Sequence, residues 1–149
     1  MSDTLPRERG TYALLLHLPE SAQAEVGRLG VVRFAPGRYV YVGSAHGAGG
    51  LAARVGRHLR DDKVRHWHVD TLTALARPVE VWFATGDARL ECAWAEALDA
   101  TPGVTIPVAG FGSSDCRCTS HLFHLSGPGM EARARAALPA RNLGRVGYD

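Results

Sequence analysis

One short run near the start of the chain constrains its fold more than any other feature. Between positions 11 and 18 the even positions carry large apolar side chains: Tyr12, Leu14, Leu16 and Leu18. Ala13 and Leu15 lie between them. Alternation with period two is typical of a β-strand, and apolar residues on both faces indicate a strand in the middle of a sheet. We therefore expect a layered structure with this strand near its centre.

Two further extended runs follow, at residues 28–34 and 38–44. The segment between them, Ala35-Pro36-Gly37, has the composition of a turn. This arrangement predicts that the two runs pair as an antiparallel hairpin. The polar residues 19–25 before them are predicted to be a connection.

Helical spacing appears in the later segments. Leu51, Val55 and Leu59 predict a helix over residues 51–60 that exposes Arg57 and Arg60. The other predicted elements are a short helix opening at 66–70 with Leu72, Leu75 and Ala76 turned inward, a strand over 79–84, a helix capped by Asp87 and continuing to Leu98, and a last strand over 121–125.

These elements predict an α/β (α+β) fold, in which a small, mostly antiparallel central sheet is flanked by helices. The length of 149 residues is that of one compact domain. We expect residues 1–126 to form this domain and residues 127–149 to be an arginine-rich C-terminal tail. The charges of the tail are Arg133, Arg135, Arg141 and Arg145 against Glu131 and Asp149.

The composition excludes several classes of protein. Hydrophobic residues make up 46% and charged residues 21% of the chain, which is typical of a folded globular domain and not of a disordered one. No apolar run approaches the roughly 20 residues of a membrane-spanning helix, so we expect no membrane partner. Three cysteines cannot form a fully paired disulfide framework, which favours a reducing cytoplasm.

The basic residues are more informative than the net charge. Seventeen basic and fifteen acidic residues give +2, too little to predict a nucleic-acid-binding protein by itself. All the basic residues except Lys63 are arginine, whose planar guanidinium suits two-point contacts with phosphate. A genome rich in GC also favours arginine codons, and this is the alternative explanation.

Four kinds of side chain in the sequence suit the hydrolysis of a phosphodiester. Tyr12 and Tyr41 lie on predicted strands, Arg54 and His58 lie four apart on one face of a predicted helix, and Glu91 lies near the start of another. A guanidinium can neutralise the transition state, a carboxylate can hold a divalent cation, and a phenol or imidazole can move a proton. The alternatives are strand packing for the tyrosines, a solvated face for Arg54 and His58, and a helix-dipole partner for Glu91.

The order of these residues resembles the GIY-YIG nuclease superfamily. The matching elements are Gly10-Thr11-Tyr12 on one strand, Tyr41-Val42-Gly43 on another, Arg54 and His58 on the next helix, and Glu91 on a later one. The resemblance implies a GIY-YIG nuclease-like fold. It also implies that Tyr12 is the general base, that Tyr41 positions water or phosphate, that Arg54 stabilises the transition state, that His58 is an auxiliary basic residue, and that Glu91 binds a divalent metal, Mg²⁺ or Mn²⁺.

A more specific resemblance spans residues 10–125. The segments 39–45, 66–70, 89–92 and 110–116 are similar to a bacterial and archaeal subfamily known as a domain of unknown function, found alone or fused to an endonuclease III-type DNA glycosylase. The resemblance implies a role in DNA repair and a repair-enzyme partner.

The sequence departs from the superfamily pattern in three places. Thr11 replaces the usual isoleucine, and the gap between Tyr12 and Tyr41 is longer than usual. Many superfamily members also carry an asparagine soon after the glutamate helix, whereas Asn142 is the single asparagine of this chain. Its role would pass to a residue of the 113–115 loop, Ser113, Ser114 or Asp115.

Our leading hypothesis is a metal-dependent DNA endonuclease that selects DNA structure, branched or damaged, over base sequence, because no base-reading motif accompanies the domain. The alternative is a non-catalytic DNA-binding module that recruits a repair enzyme, and RNA is an alternative substrate. We expect a cytoplasmic, nucleoid-associated protein. The predicted nucleic-acid contacts are Arg57, Arg60, Lys63, Arg65, His66, His68, Ser113 and Ser114.

The cysteines form a separate pattern. Cys116 and Cys118 precede His121, and His124 follows three positions later. Zinc sites need four ligands and usually pair cysteines as C-x₂₋₄-C, so this spacing is unusual and a fourth ligand would have to be Cys92 or His124. A disulfide to Cys92 and ordinary semi-buried thiols are the alternatives.

Overall fold

A computed structural model describes residues 5–60, 68–113, 116–140 and 142–148. Its elements follow in chain order: β1 (Gly10–Leu18), β2 (Ala22–Glu25), a 3₁₀ turn (Gly27–Leu29), β3 (Val31–Phe34), β4 (Gly37–Ala45), α1 (Gly50–Leu59), α2 (His68–Thr73), β5 (Arg77–Thr85), α3 (Glu91–Asp99), β6 (Val104–Thr105), β7 (Leu122–Leu125), α4 (Met130–Ala137) and β8 (Gly144–Gly147).

The predicted fold class is confirmed. Within the described ranges six strands form one sheet in the order β6-β7-β4-β1-β5-β8, and all its neighbours are antiparallel. β1 lies between β4 and β5, as its apolar pattern predicts. A separate two-stranded sheet contains β2 and β3.

The alternation along β1 divides the core into two layers. Tyr12, Leu14 and Leu16 face one side of the sheet, where residues of α1 and α2 cover them. Ala13 and Leu15 face the other side, where they pack with residues of α3 and α4. Burial of both faces by helices explains why this strand is apolar at odd and even positions alike.

The predicted hairpin between the second and third extended runs is wrong. β3 pairs with β2, in the segment predicted to be a mere connection, and β4 pairs with β1 and β7. A strand has only two hydrogen-bonding edges. Both edges of β4 are occupied, so β3 has to find another partner.

Three smaller predictions also differ from the structure. The third predicted helix begins at Glu91 and not at Asp87. The N–H of Leu90, just before it, donates to the hydroxyl oxygen of Thr11 in β1 at 3.3 Å, which fixes the helix start there. Leu75 is 41% exposed, because α2 ends at Thr73 and leaves it in a turn. The predicted last strand, β7, is not the last, because β8 follows it in the chain.

The arginine-rich segment after residue 126 contributes α4 and β8. β8 pairs with β5 at the sheet edge, and Met130 and Ala134 of α4 are buried in the second core layer. None of the helices in the described ranges has the length and apolar character needed to cross a membrane.

Candidate functional site

A cleft opens where β1 begins, β4 ends, and α1 and α3 approach each other. Its volume is about 310 Å³. Its wall is largely polar and includes all five residues that the sequence assigns to catalysis and metal binding: Tyr12, Tyr41, Arg54, His58 and Glu91. The structure therefore brings together side chains that are up to 79 positions apart.

Glycines allow the two tyrosines to enter this cleft. Tyr12 pairs with Gly43 across β1 and β4, and a Cβ at position 43 would collide with the Tyr12 hydroxyl. Gly112 has a positive φ of 71°, and a Cβ there would lie 2.8 Å from the Tyr41 ring. The tyrosine rings are 6.4 Å apart between centroids.

Tyr12, His58 and Asp70 form a chain of polar contacts inside the protein. The hydroxyl of Tyr12 lies 2.7 Å from Nε2 of His58, and Nδ1 of His58 lies 3.6 Å from Oδ1 of Asp70. Asp70 is fully buried, and Arg57 donates to both of its oxygens, at 3.0 and 3.2 Å. The carboxylate thus favours a proton on Nδ1 of His58, which leaves Nε2 as an acceptor for the Tyr12 hydroxyl.

Burial sets the protonation states along this chain. It lowers the pKa of His58 to about 4, although the charge of Asp70 acts in the opposite direction. Burial and the nearby Tyr41 raise the pKa of Tyr12 well above its usual value, and burial and Glu91 raise that of Tyr41. At neutral pH the cleft therefore contains two neutral phenols and a neutral imidazole.

Glu91 and Arg54 supply opposite charges to the same cleft. Glu91 is the first residue of α3, and the Thr11–Leu90 hydrogen bond ties this helix start to β1 beside Tyr12. Burial acts to raise the pKa of Glu91, but its contacts with His121 and Ser44 and the positive charge of Arg54 lower it overall. Arg54 donates to the carbonyl oxygen of Ser44 at 3.3 Å.

Three cysteines and a histidine meet beside Glu91. Ligand atoms of Cys92, Cys116, Cys118 and His121 all lie within 4.8 Å of one another, so this cluster could bind a metal ion. All three cysteines are free thiols. Of the two candidates for a fourth ligand, Cys92 is in the cluster, whereas His124 contacts the carbonyl of Pro36.

Comparison with known proteins identifies a family but no function. A family model described as "Domain of unknown function DUF123" matches residues 11–141. The chain belongs to this family. Searches of curated proteins and of solved structures found no significant match.

The structure places the predicted nucleic-acid contacts of this DUF123 domain in different surroundings. Arg60 is exposed at the end of α1, whereas Arg57 is half-buried in its ion pair with Asp70. His68 accepts a hydrogen bond from the N–H of Gly112 (2.9 Å), and Ser113 is buried. Four more predicted contacts lie outside the described residues: Lys63, Arg65, His66 and Ser114.

Sequence reasoning missed two partners of the cleft residues. The sequence pattern assigns no role to Asp70, and it assigns His121 only to a candidate zinc site. Asp70 lies between Val69 and Leu72, which are buried, and a carboxylate within such an apolar stripe indicates a buried partner. The contact of His121 with Glu91 joins residues 30 positions apart and leaves no local signal.

Proposed function

We propose that this domain is a metal-dependent DNA endonuclease of the GIY-YIG type, a hydrolase of phosphodiester bonds. The observation that carries the proposal is the 2.7 Å contact between the Tyr12 hydroxyl and Nε2 of His58. It lies in the same cleft as Arg54 and Glu91. A base, a cation and a carboxylate in one concave site are what phosphodiester hydrolysis requires.

The proton path begins at the attacking water. The Tyr12 oxygen accepts the proton of the water while the Tyr12 hydroxyl gives its own proton to Nε2 of His58. Because the raised pKa of Tyr12 disfavours a standing phenolate, the two transfers have to be coupled. Asp70 then stabilises the imidazolium of His58, as a buried carboxylate does in other triads.

Arg54 and Glu91 act on the phosphate. The guanidinium of Arg54 faces the cleft and can contact the charge that develops on the phosphate oxygens. Glu91 fits a divalent cation, because its lowered pKa keeps it ionised at neutral pH and because Mg²⁺ is often held by one or two carboxylates with water and phosphate oxygens. When bound at Glu91, Mg²⁺ or Mn²⁺ would stabilise negative charge on the phosphate and the leaving oxygen.

The substrate class follows from what surrounds the cleft. No separate base-reading module stands beside it in the described ranges, which supports recognition of DNA structure over sequence. Branched or damaged DNA is therefore the proposed substrate. Because similar domains occur fused to a DNA glycosylase, we also propose that the domain acts in the cytoplasm at the nucleoid, with a repair enzyme as its partner.

A nicking assay tests the proposal. Supercoiled plasmid and a panel of branched duplexes are incubated with wild-type protein and Mg²⁺ or Mn²⁺, beside Glu91→Gln and Glu96→Gln. Glu96 is an exposed residue of the same helix, so Glu96→Gln is a matched loss of charge. We expect wild type and Glu96→Gln to cleave, and Glu91→Gln to be inactive with DNA affinity within a few-fold of wild type.

Absence of cleavage by wild type on every substrate, with DNA binding intact, would overturn the enzymatic proposal in favour of the DNA-binding module. Cleavage of the RNA counterparts alone would change the substrate class. Cleavage that persists in a chelator-treated sample would remove the role of Glu91 as a metal ligand.

A further inference from the structure

The geometry points to a structural zinc site formed by Cys92, Cys116, Cys118 and His121. It does not rest on the proposed nuclease activity, because its ligands differ from the residues assigned to the chemistry. Two separate parts of the chain meet there. Cys92 is the second residue of α3, and the other three precede β7.

The donor set selects the metal. Three thiolates and one imidazole are soft to borderline ligands, which favour Zn²⁺ and disfavour Mg²⁺ and Mn²⁺. A tetrahedral zinc ion with Zn–S bonds of about 2.3 Å brings its sulfur ligands to about 3.8 Å from one another. The ligand atoms lie within 4.8 Å of one another, so a contraction of the cluster by about 1 Å would close the coordination sphere.

The two ring nitrogens of His121 lie next to a carboxylate and a thiol. Its Nδ1 lies 2.8 Å from Oε2 of Glu91, and its Nε2 lies 3.3 Å from Sγ of Cys116. Zinc-binding histidines usually give their other ring N–H to a carboxylate, which fixes the tautomer and the ring plane. The carboxylate of Glu91 lies close enough to Nδ1 to take this part, while Nε2 of the buried His121 lies beside the Cys116 thiol.

Four protein ligands make the site closed, which is typical of structural and not catalytic zinc. The ion would tie the start of α3 to the chain segment that precedes β7. The same segment carries Gly112, which packs on Tyr41 and donates to His68. The zinc site would therefore hold one wall of the cleft and fix one oxygen of Glu91.

Metal analysis of the full-length protein tests the inference. After purification without added chelator, elemental analysis should find about one zinc per chain. Cys92→Ser and Cys118→Ser should lose it, whereas His124→Gln should keep it, because His124 lies three residues further on and contacts Pro36 instead. Glu91→Gln should lower zinc affinity by roughly ten- to a hundredfold, as loss of a supporting carboxylate does.

A second measurement applies if the cysteine variants fail to fold. Wild-type protein is stripped of metal and loaded with Co²⁺, which should give thiolate-to-cobalt charge-transfer bands and the intense visible bands of a tetrahedral ion. Zinc should displace these bands, and the thermal midpoint should be higher with metal than without it. Protein without metal and with three reactive thiols, a disulfide at Cys92, or iron in place of zinc would overturn the inference.

Cleavage assays on the same preparations separate this inference from the proposed function. Zinc present without cleavage would leave the site standing and the nuclease proposal refuted. Cleavage by protein that holds no zinc would support the nuclease proposal and refute the zinc site.

Discussion

Two carboxylate–histidine pairs flank the cleft, and they differ in what the second ring nitrogen meets. Asp70 lies at Nδ1 of His58, whose Nε2 faces the Tyr12 hydroxyl at 2.7 Å. Glu91 lies at Nδ1 of His121, whose Nε2 faces Sγ of Cys116 at 3.3 Å. The same pair thus suits proton transfer beside a phenol and metal binding beside thiols.

The carboxylates also differ in their surroundings. Asp70 has no solvent exposure and accepts a hydrogen bond from Arg57 on each of its two oxygens. The side chain of Glu91 is 26% exposed and lines the cleft. Asp70 is therefore not suited to bind a cation from solvent, whereas Glu91 can bind one through the oxygen that His121 does not contact.

Substituting each of the two histidines in turn should give the largest difference in behaviour between the two pairs. His58→Gln should lower the single-turnover cleavage rate by about 10²–10⁴-fold, because it removes the proton acceptor, and should leave zinc content unchanged. His121→Gln should remove zinc. Both quantities are measured on the same preparations, and zinc loss in His58→Gln would show that the pairs are not independent.

Arg54→Lys should have the next largest effect on the cleavage rate. It keeps the charge but loses the planar two-point contact, so we expect a loss of about a hundredfold in single-turnover rate, on the order of 3 kcal/mol, with DNA affinity nearly unchanged. Arg33→Lys, at an exposed position of β3, is the matched control. Near-wild-type cleavage with an unchanged salt dependence of binding would instead make Arg54 one phosphate contact among several.

Acid should destabilise the fold through His58. Its pKa is about 4 in the folded state and near 6.5 when unfolded. The unfolded chain therefore binds the extra proton between these values, and stability present above pH 6.5 is lost as the pH falls towards 4. Denaturant titrations should show up to about 3 kcal/mol more loss over this range in wild type than in His58→Gln. An equal loss of stability with pH in wild type and His58→Gln would contradict the lowered pKa of His58.

Asp70→Asn should have the smallest effect of these changes. It keeps the shape but removes the charge that favours imidazolium, so we expect about a tenfold lower rate. The acidic limb of the pH–rate profile should move to lower pH, because Asp70 raises the pKa of His58. A loss of rate with no shift of that limb would indicate a packing role for Asp70.

The sequence predicted what depends on local pattern and on order along the chain. The alternation in β1 and the helical spacing of α1 are local. The pairing of β3 was not predictable, because it depends on which strands occupy the edges of β4. The start of α3 depends on the Thr11 hydroxyl, which comes from a strand 79 positions away.

The candidate site divides in the same way. The residues of the cleft follow from the resemblance to nucleases, whereas Asp70 and the Cys92 contribution to the cluster depend on tertiary contacts. The spacing of Cys116 and Cys118 is unusual for zinc when considered alone. It becomes adequate only when α3 brings Cys92 to the other three ligands.

The central claim is that the Tyr12 hydroxyl takes part in cleavage. Removing the hydroxyl from each of two tyrosines tests it most directly. Tyr12→Phe removes the hydroxyl that contacts His58, and Tyr39→Phe removes one from the same sheet that donates to the carbonyl of Ala35 at 2.5 Å. With Mg²⁺ or Mn²⁺ and a branched duplex, single-turnover cleavage by Tyr12→Phe should fall by about a hundredfold or more, and that by Tyr39→Phe should stay within about twofold of wild type. Equal rates for the two variants would contradict the account.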